Sequence, residues 1–210
     1  TLSPSIYSSK VEEIEPSLAI PEGMPTEQQV LDRVLADLLQ ARGLGIFNIY
    51  HRDIEFIKGL FDIAQRSNRE IVFEPKTAYI VNRILGLYPA VYVPDNDDYG
   101  DKAPAYYSKV IAEAPRIVSV QDINDSPNAW FLQNSYENIL ELFDLPAEGA
   151  RYYHLNGVPL VEGARDYANM LRVLRLTHID YAAFANLYCY NHAFPNNLLY
   201  MAERIHAKYL

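Results

Sequence analysis

From Thr26 to about Leu174 the chain alternates short apolar runs with amphipathic helical stretches, and no other feature limits the fold as tightly. The first helix opens at Thr26, where Thr26 and Gln29 fit a capping box. Val30, Leu31, Val34, Leu35, Leu38 and Leu39 then form one apolar stripe that Gly43 ends. Leu44–Tyr50 is short, apolar and contains glycine, as a buried strand does. Asp53–Arg66 keeps the helical period through Ile54, Ile57, Leu60, Phe61 and Ala64, and Glu70–Phe73 makes the next strand. The same pattern predicts helices over 77–85, 104–113, 136–143 and 166–174, and strands over 90–93, 116–120, 130–133 and 151–154. An apolar run over 181–190 and an amphipathic helix over 196–209 complete it. Strands separated by helices pair in parallel, because a parallel crossover needs about a dozen residues or more. The expected class is α/β, a mainly parallel twisted sheet with helices on both faces.

A length of 210 residues suits one such domain with an appended segment. Residues 1–25 carry four prolines and no sustained period, so they read as an extended lead-in. A boundary is expected near 176–180. The formal charge of −9, without any lysine- or arginine-rich run, gives no long-range pull on a phosphate backbone. Nucleic acid would have to be held in a local channel. Cys189 is the single cysteine, which excludes an internal disulfide and points to a reducing compartment such as the cytoplasm. No apolar run reaches the roughly 18 residues that span a bilayer, so no membrane is expected. The chain starts at Thr1 without a methionine and stops directly after a helical pattern, as an excised fragment would.

The five histidines, His51, His154, His178, His192 and His206, show no i, i+2 or i, i+4 pairing, so no self-contained metal site is expected. Neither a P-loop nor a G-x-G-x-x-G nor a G-x-S-x-G elbow occurs. The most informative stretch runs from Cys189 to Leu198, where an apolar strand ends, His192 follows, and Pro195 sits at the first turn of a helix. Such a turn sets a histidine at the carboxyl edge of a sheet beside a helix amino terminus, where anions are favoured. A histidine that only caps the turn accounts for the same spacing. Asn48 and Arg52 follow a strand end and could reach a phosphate, or Arg52 could pair with Asp53 or Glu55. Asn134 and Ser135 read as helix caps, Asn156-Gly157 as a tight turn, and Asp95, Asp97, Asp98 and Asp101 as a solvated loop. Tyr106, Tyr107, Tyr152 and Tyr153 could stack on bases, although packing explains most of the 17 tyrosines.

Four segments, in order, carry a resemblance. The residues 189–198 resemble the Ser-Gly-His-Ala element of the metallo-β-lactamase-fold nucleases with an inserted β-CASP domain, the group that includes ribonuclease J. Residues 45–53, Gly-Ile-Phe-Asn-Ile-Tyr-His-Arg-Asp, look like that family's first β-CASP strand and its Asn-Ile-Tyr/His-Arg turn. Residues 67–73 are similar to the basic turn and strand that come next, and residues 154–160 to the Asn/Ser-Gly-Glu-Pro-Leu loop. The resemblance implies a lead-in from the adjoining fold over 1–25, a β-CASP-like domain over 26–176, and a return to the metallo-β-lactamase fold over 177–210. It implies that His192 is a catalytic helper near the scissile phosphate, with Asn48, Arg52, Asn156, Gly157 and Asn191 on the substrate side. It also implies RNA as partner and two zinc ions in the parent protein. Their ligands would lie before Thr1 and beyond Leu210, so the chain would hold no metal and be incomplete as a catalyst. A homodimer stays open. Asn191 stands where the family has glycine, Val158 where it has glutamate, and Leu155 where it has a small polar residue. A side chain at Asn191 would narrow a phosphate pocket. The alternative is a noncatalytic α/β binding or scaffolding domain.

Overall fold

The computed structural model describes residues 15–20, 24–93, 104–159, 163–182 and 193–205. Seven strands form one all-parallel sheet: β1 (Gly45–Asn48), β2 (Glu70–Phe73), β3 (Ala90–Tyr92), β4 (Ile117–Val118), β5 (Trp130–Gln133), β6 (Arg151–His154) and β7 (Asp180–Tyr181). Their spatial order is β4-β3-β2-β5-β1-β6-β7. The helices are α1 (Glu27–Leu38), α2 (Ile54–Arg66), α3 (Pro75–Leu85), α4 (Tyr107–Glu113), α5 (Val120–Asp125), α6 (Arg165–Thr177) and α7 (Pro195–Ile205). The class expected from the alternation, a parallel α/β sheet, is the one observed. None of the described helices is long and apolar enough to cross a membrane.

Strand residues alternate between two cores. Phe47, Phe73, Phe131 and Tyr153 face α1 to α4, while Ile46, Val72, Leu132 and Tyr152 face α5, α6 and the 3₁₀ segment Tyr136–Phe143. The chain steps from β1 through β2 and β3 to β4 with its helices on the first face. It returns through β5 and β6 to β7 with its helices on the second, as crossovers of one hand require. Helices on both faces follow from this reversal.

The capping box forms as expected, Gln29 N–H donating to Thr26 Oγ1 (3.1 Å) and Thr26 N–H to Gln29 Oε1 (2.8 Å). Leu39, however, is the C-cap of α1 and lies exposed, outside the buried stripe. Helix α3 begins at Pro75 rather than Thr77, because proline supplies a pre-set φ at the first helical position. The strand expected over 116–120 shrinks to Ile117–Val118. Ser119 and Asp122 make a capping box that turns the chain into α5, a helix too short to show a period. The helix over 136–143 is a kinked 3₁₀ segment. Asn138 leaves the helical region at φ −108°, and its carbonyl accepts from Asn134 Nδ2 (2.9 Å). Of the apolar run 181–190, Tyr181 joins Asp180 in the edge strand and 183–190 lies outside the described residues.

At the amino edge Arg69 is buried and spends its guanidinium on backbone carbonyls: Gly43 O (2.8 Å), Trp130 O (3.3 Å) and Ala41 O (2.8 Å). It ties the starts of β1, β2 and β5 together.

Candidate functional site

The four central strands β2, β5, β1 and β6 leave the sheet alternately toward one face and the other, so crevices open between their carboxyl ends. Open parallel sheets bind ligands at such points. Asn48 pairs in register with His154. Continuing the β2–β5 and β1–β5 registers by two residues and one residue sets Glu74 beside Asn134 and Asn134 beside Asn48. A polar row, Glu74, Asn134, Asn48 and His154, thus crosses four strand ends, and every member is buried.

Two loops more than a hundred residues apart interlock beside this row. Asn156 Oδ1 accepts from Tyr50 N–H (2.7 Å), and Asn156 Nδ2 donates to Asp53 Oδ2 (2.7 Å). Asn48 Nδ2 donates to Val158 O (2.9 Å) and to Tyr152 Oη (3.3 Å). Gly157 lies against Asn48 so closely that a Cβ there would fall on Oδ1 and 2.6 Å from Cγ. Asp53 also caps α2 by accepting from Phe56 N–H (3.3 Å). The turn Tyr50–Arg52 is therefore held from both ends, and its tip carries an exposed Arg52. Among the described residues no acid forms an ion pair with Arg52, so neither Asp53 nor Glu55 takes the partner role open to it in the sequence. His51 beside it is held below the usual imidazole range, first by partial burial and then by the positive charges of Lys76 and Arg52, with Glu137 opposing.

His154 Nε2 lies 2.9 Å from Pro159 O, so Nε2 carries the proton and Nδ1 presents a lone pair without a partner among the described residues. Burial pushes its pKa down, which keeps the ring neutral. Glu74 is fully enclosed, and burial pushes its carboxyl above the ordinary glutamate value of 4.5, although Ser135 N–H donates to Oε1 (2.7 Å). Because the folded pKa is raised, the folded state holds the proton more tightly than the unfolded chain. Glu74 therefore favours folding below about pH 4.5, and that contribution disappears as pH climbs through the raised value. Glu74→Gln, neutral at every pH and still able to accept from Ser135, is expected to match the wild type in acid and exceed its melting temperature at pH 8. Equal melting temperatures at pH 8 would contradict the assignment.

The structure brings Asn48, Arg52, Asn156 and Gly157 together, as four residues of one junction. Asn48 and Asn156 are buried and spend their amides inside it, which leaves Arg52 as the member facing solvent. Asn191 and His192 lie outside the described residues, as do Cys189, His206 and the aspartates 95–101. Ser135 takes the cap position before the 3₁₀ segment but makes no side-chain cap bond. His178 ends α6 in the left-handed conformation at φ 58°. Tyr152 and Tyr153 are packed in the two cores, where no base can stack. Glu74 and His154 carried no assigned role in the sequence, since a single polar residue at a strand end has no spacing to read, and Asn134, read there as a helix cap, instead donates its amide to Asn138 O (2.9 Å). Among the described residues no group of three His, Cys, Asp or Glu side chains converges as a metal site would require.

No protein-family model matches the chain, and no curated protein matches it significantly. Among solved structures it is similar to a protein of unknown function from Enterococcus faecalis V583, with a TM-score of 0.59 at 18% identity. The match covers 92% of this chain and 45% of that one, so the chain spans less than half of that protein's length. The likeness is one of fold.

Proposed function

We propose that this chain is the β-CASP portion of a ribonuclease J-like zinc-dependent metallo-hydrolase, helping to bind RNA and to shape the site of phosphodiester cleavage. The observation that carries the reading is the interlocked junction. The segments that resemble the family's Asn-Ile-Tyr/His-Arg turn and its Gly-Glu-Pro-Leu loop are 106 residues apart at Tyr50 and Asn156, yet they bond directly at the carboxyl edge of a parallel sheet. In this reading Asn48, Asn156 and Gly157 frame the turn and Arg52 grips a phosphate, since a guanidinium meets phosphate oxygens with two parallel donors. Asn191 lies on the substrate side, and His192 orients the phosphate or protonates the leaving oxygen.

In this reading two zinc ions and their ligands belong to the adjoining fold of a longer, cytoplasmic parent protein. A second observation agrees with an inserted domain, although β7 at Asp180–Tyr181 belongs to the same sheet and carries the α/β unit past the bound of 176 read from the sequence. Residues 17–19 of the lead-in bond to Asn196 and Asn197 at the start of α7, so the segments on either side of the α/β domain meet.

In the parent, His192→Ala is expected to slow RNA decay by about a hundredfold or more while zinc content is unchanged. Unchanged turnover would remove His192 from the mechanism. The competing reading, a noncatalytic binding or scaffolding domain that recognises a nucleotide or a partner protein, draws on Asn191, Val158 and the net charge of −9 and predicts no cleavage by the wild-type parent.

A further inference from the structure

We infer that Asn196 and Asn197 are positioning residues that brace the outgoing helix α7 against the incoming segment 17–19. Asn196 Nδ2 donates to Ala19 O (2.8 Å), Ser17 Oγ (2.9 Å) and Ser17 O (3.2 Å). Asn197 Nδ2 donates to Ser17 O (2.9 Å) and lies 3.4 Å from Ala19 O, while Ser17 N–H returns a bond to Asn196 O (3.1 Å). These partners are 177 to 180 residues apart in the chain. Asn197 has a second task. Its Oδ1 accepts from Phe194 N–H (3.1 Å), the reaching-back half of a capping box, so it fixes where α7 starts.

A side-chain amide suits this double role, because its oxygen and its NH₂ serve two partners at once. An aspartate at 197 could cap the helix but would turn an acceptor toward the carbonyls of 17 and 19. The apolar side chains Leu18, Ile20, Leu198 and, at the far end of α7, Ile205 are exposed, and no residue of α7 is fully buried. The register of α7 against the lead-in is set among the described residues by the two amides and the backbone bond from Ser17. His192 precedes Asn196 by four residues in the sequence. On the function proposed above, the brace sets the outgoing segment that carries this histidine, and only that link rests on the proposal.

The test uses Asn196→Ala/Asn197→Asp in the full-length protein, a pair that removes every side-chain donor of the brace, leaves Ser17 N–H with its backbone bond to Asn196 O alone, and keeps the cap on Phe194. Hydrogen–deuterium exchange is expected to show Ser17 exchanging roughly tenfold faster or more, with the amides of α7 still protected. RNA cleavage is expected to lose about a hundredfold in kcat, because a small misplacement of a reacting group costs that much. The KM for RNA and the zinc content should stay within twofold of the wild type, within roughly experimental scatter. Unchanged exchange at Ser17 would overturn the brace. Faster exchange with full kcat would overturn its positioning role. A wild-type protein that cleaves no RNA would instead overturn the proposed function, and exchange at Ser17 alone would then decide the brace.

Discussion

Gly157→Ala is expected to cost about 3 kcal/mol of folding stability and to take the junction apart, since overpacking costs roughly 1–3 kcal/mol and a broken buried hydrogen bond adds to it. The added methyl would fall on Asn48 Oδ1, 2.6 Å from Cγ and 3.0 Å from Ile49 N. Asn48 cannot retreat cheaply, because its amide is already committed to Val158 O and Tyr152 Oη. Two outcomes are open to the chain: the loop 156–158 lifts away, or Asn48 swings and leaves those acceptors without a donor in the interior. The first releases Asn156 from Tyr50 and Asp53 and frees the turn that carries Arg52, and the second cuts the tie between Asn48 and the loop at Val158. Urea unfolding checks this, with a lower midpoint at unchanged slope. Asn48→Ala/Gly157→Ala, which removes the clash, should recover part of the loss if the clash is its origin. An unaltered midpoint for Gly157→Ala would contradict the geometry.

Arg69→Met is expected to be at least as damaging, at about 3–5 kcal/mol, because each buried carbonyl stripped of its donor costs roughly 1–3 kcal/mol. The guanidinium serves Gly43, Trp130 and Ala41 at once, and nothing in the Met side chain can replace it. Burial lowers the Arg69 pKa, but the group starts so high that it stays charged. Arg69→Lys should recover part of the loss, since one ammonium cannot span three carbonyls at this geometry. Stabilities of total size 5–15 kcal/mol make the effect large enough to read from a single melt. A Met variant within about 1 kcal/mol of the wild type would mean the amino edge is held by something else.

These two positions mark what was legible in the sequence. The strand and helix alternation was, because burial on two faces leaves a period behind. The capping box at Thr26, the α2 helix after Asp53 and the parallel class followed from it. The order of the strands did not. Placing β5 between β2 and β1 is decided by packing across the whole chain, and nothing local to Trp130–Gln133 records it. Helix α5 escaped because six residues hold fewer than two turns. Arg69 read as part of a basic turn, since a charged side chain that sinks among carbonyls looks the same in sequence as one in water.

The candidate site was half visible. Asn48 and Arg52 were picked out by their place after a strand end and Asn156-Gly157 as a turn that the family resemblance raised to a ligand loop, whereas the bonds joining them depend on a pairing of β1 with β6 that the sequence does not announce. The polar row of Glu74, Asn134, Asn48 and His154 exists only once four strand ends are aligned. The amides of Asn48 and Asn156 are spent inside the junction, so on the proposed function they frame the turn and Arg52 is the group left to meet a phosphate.

The central claim, a β-CASP portion that is incomplete without an adjoining metal-binding fold, is tested most directly by one paired measurement. Zinc content and zinc-dependent cleavage of a 5′-labelled RNA are measured side by side for the full-length parent and for this 210-residue chain. The account predicts about two zinc ions and cleavage for the parent, as a two-metal site requires, and neither for the chain alone. Zinc-dependent cleavage by the 210 residues themselves, or a parent that binds no zinc and leaves RNA intact, would contradict it.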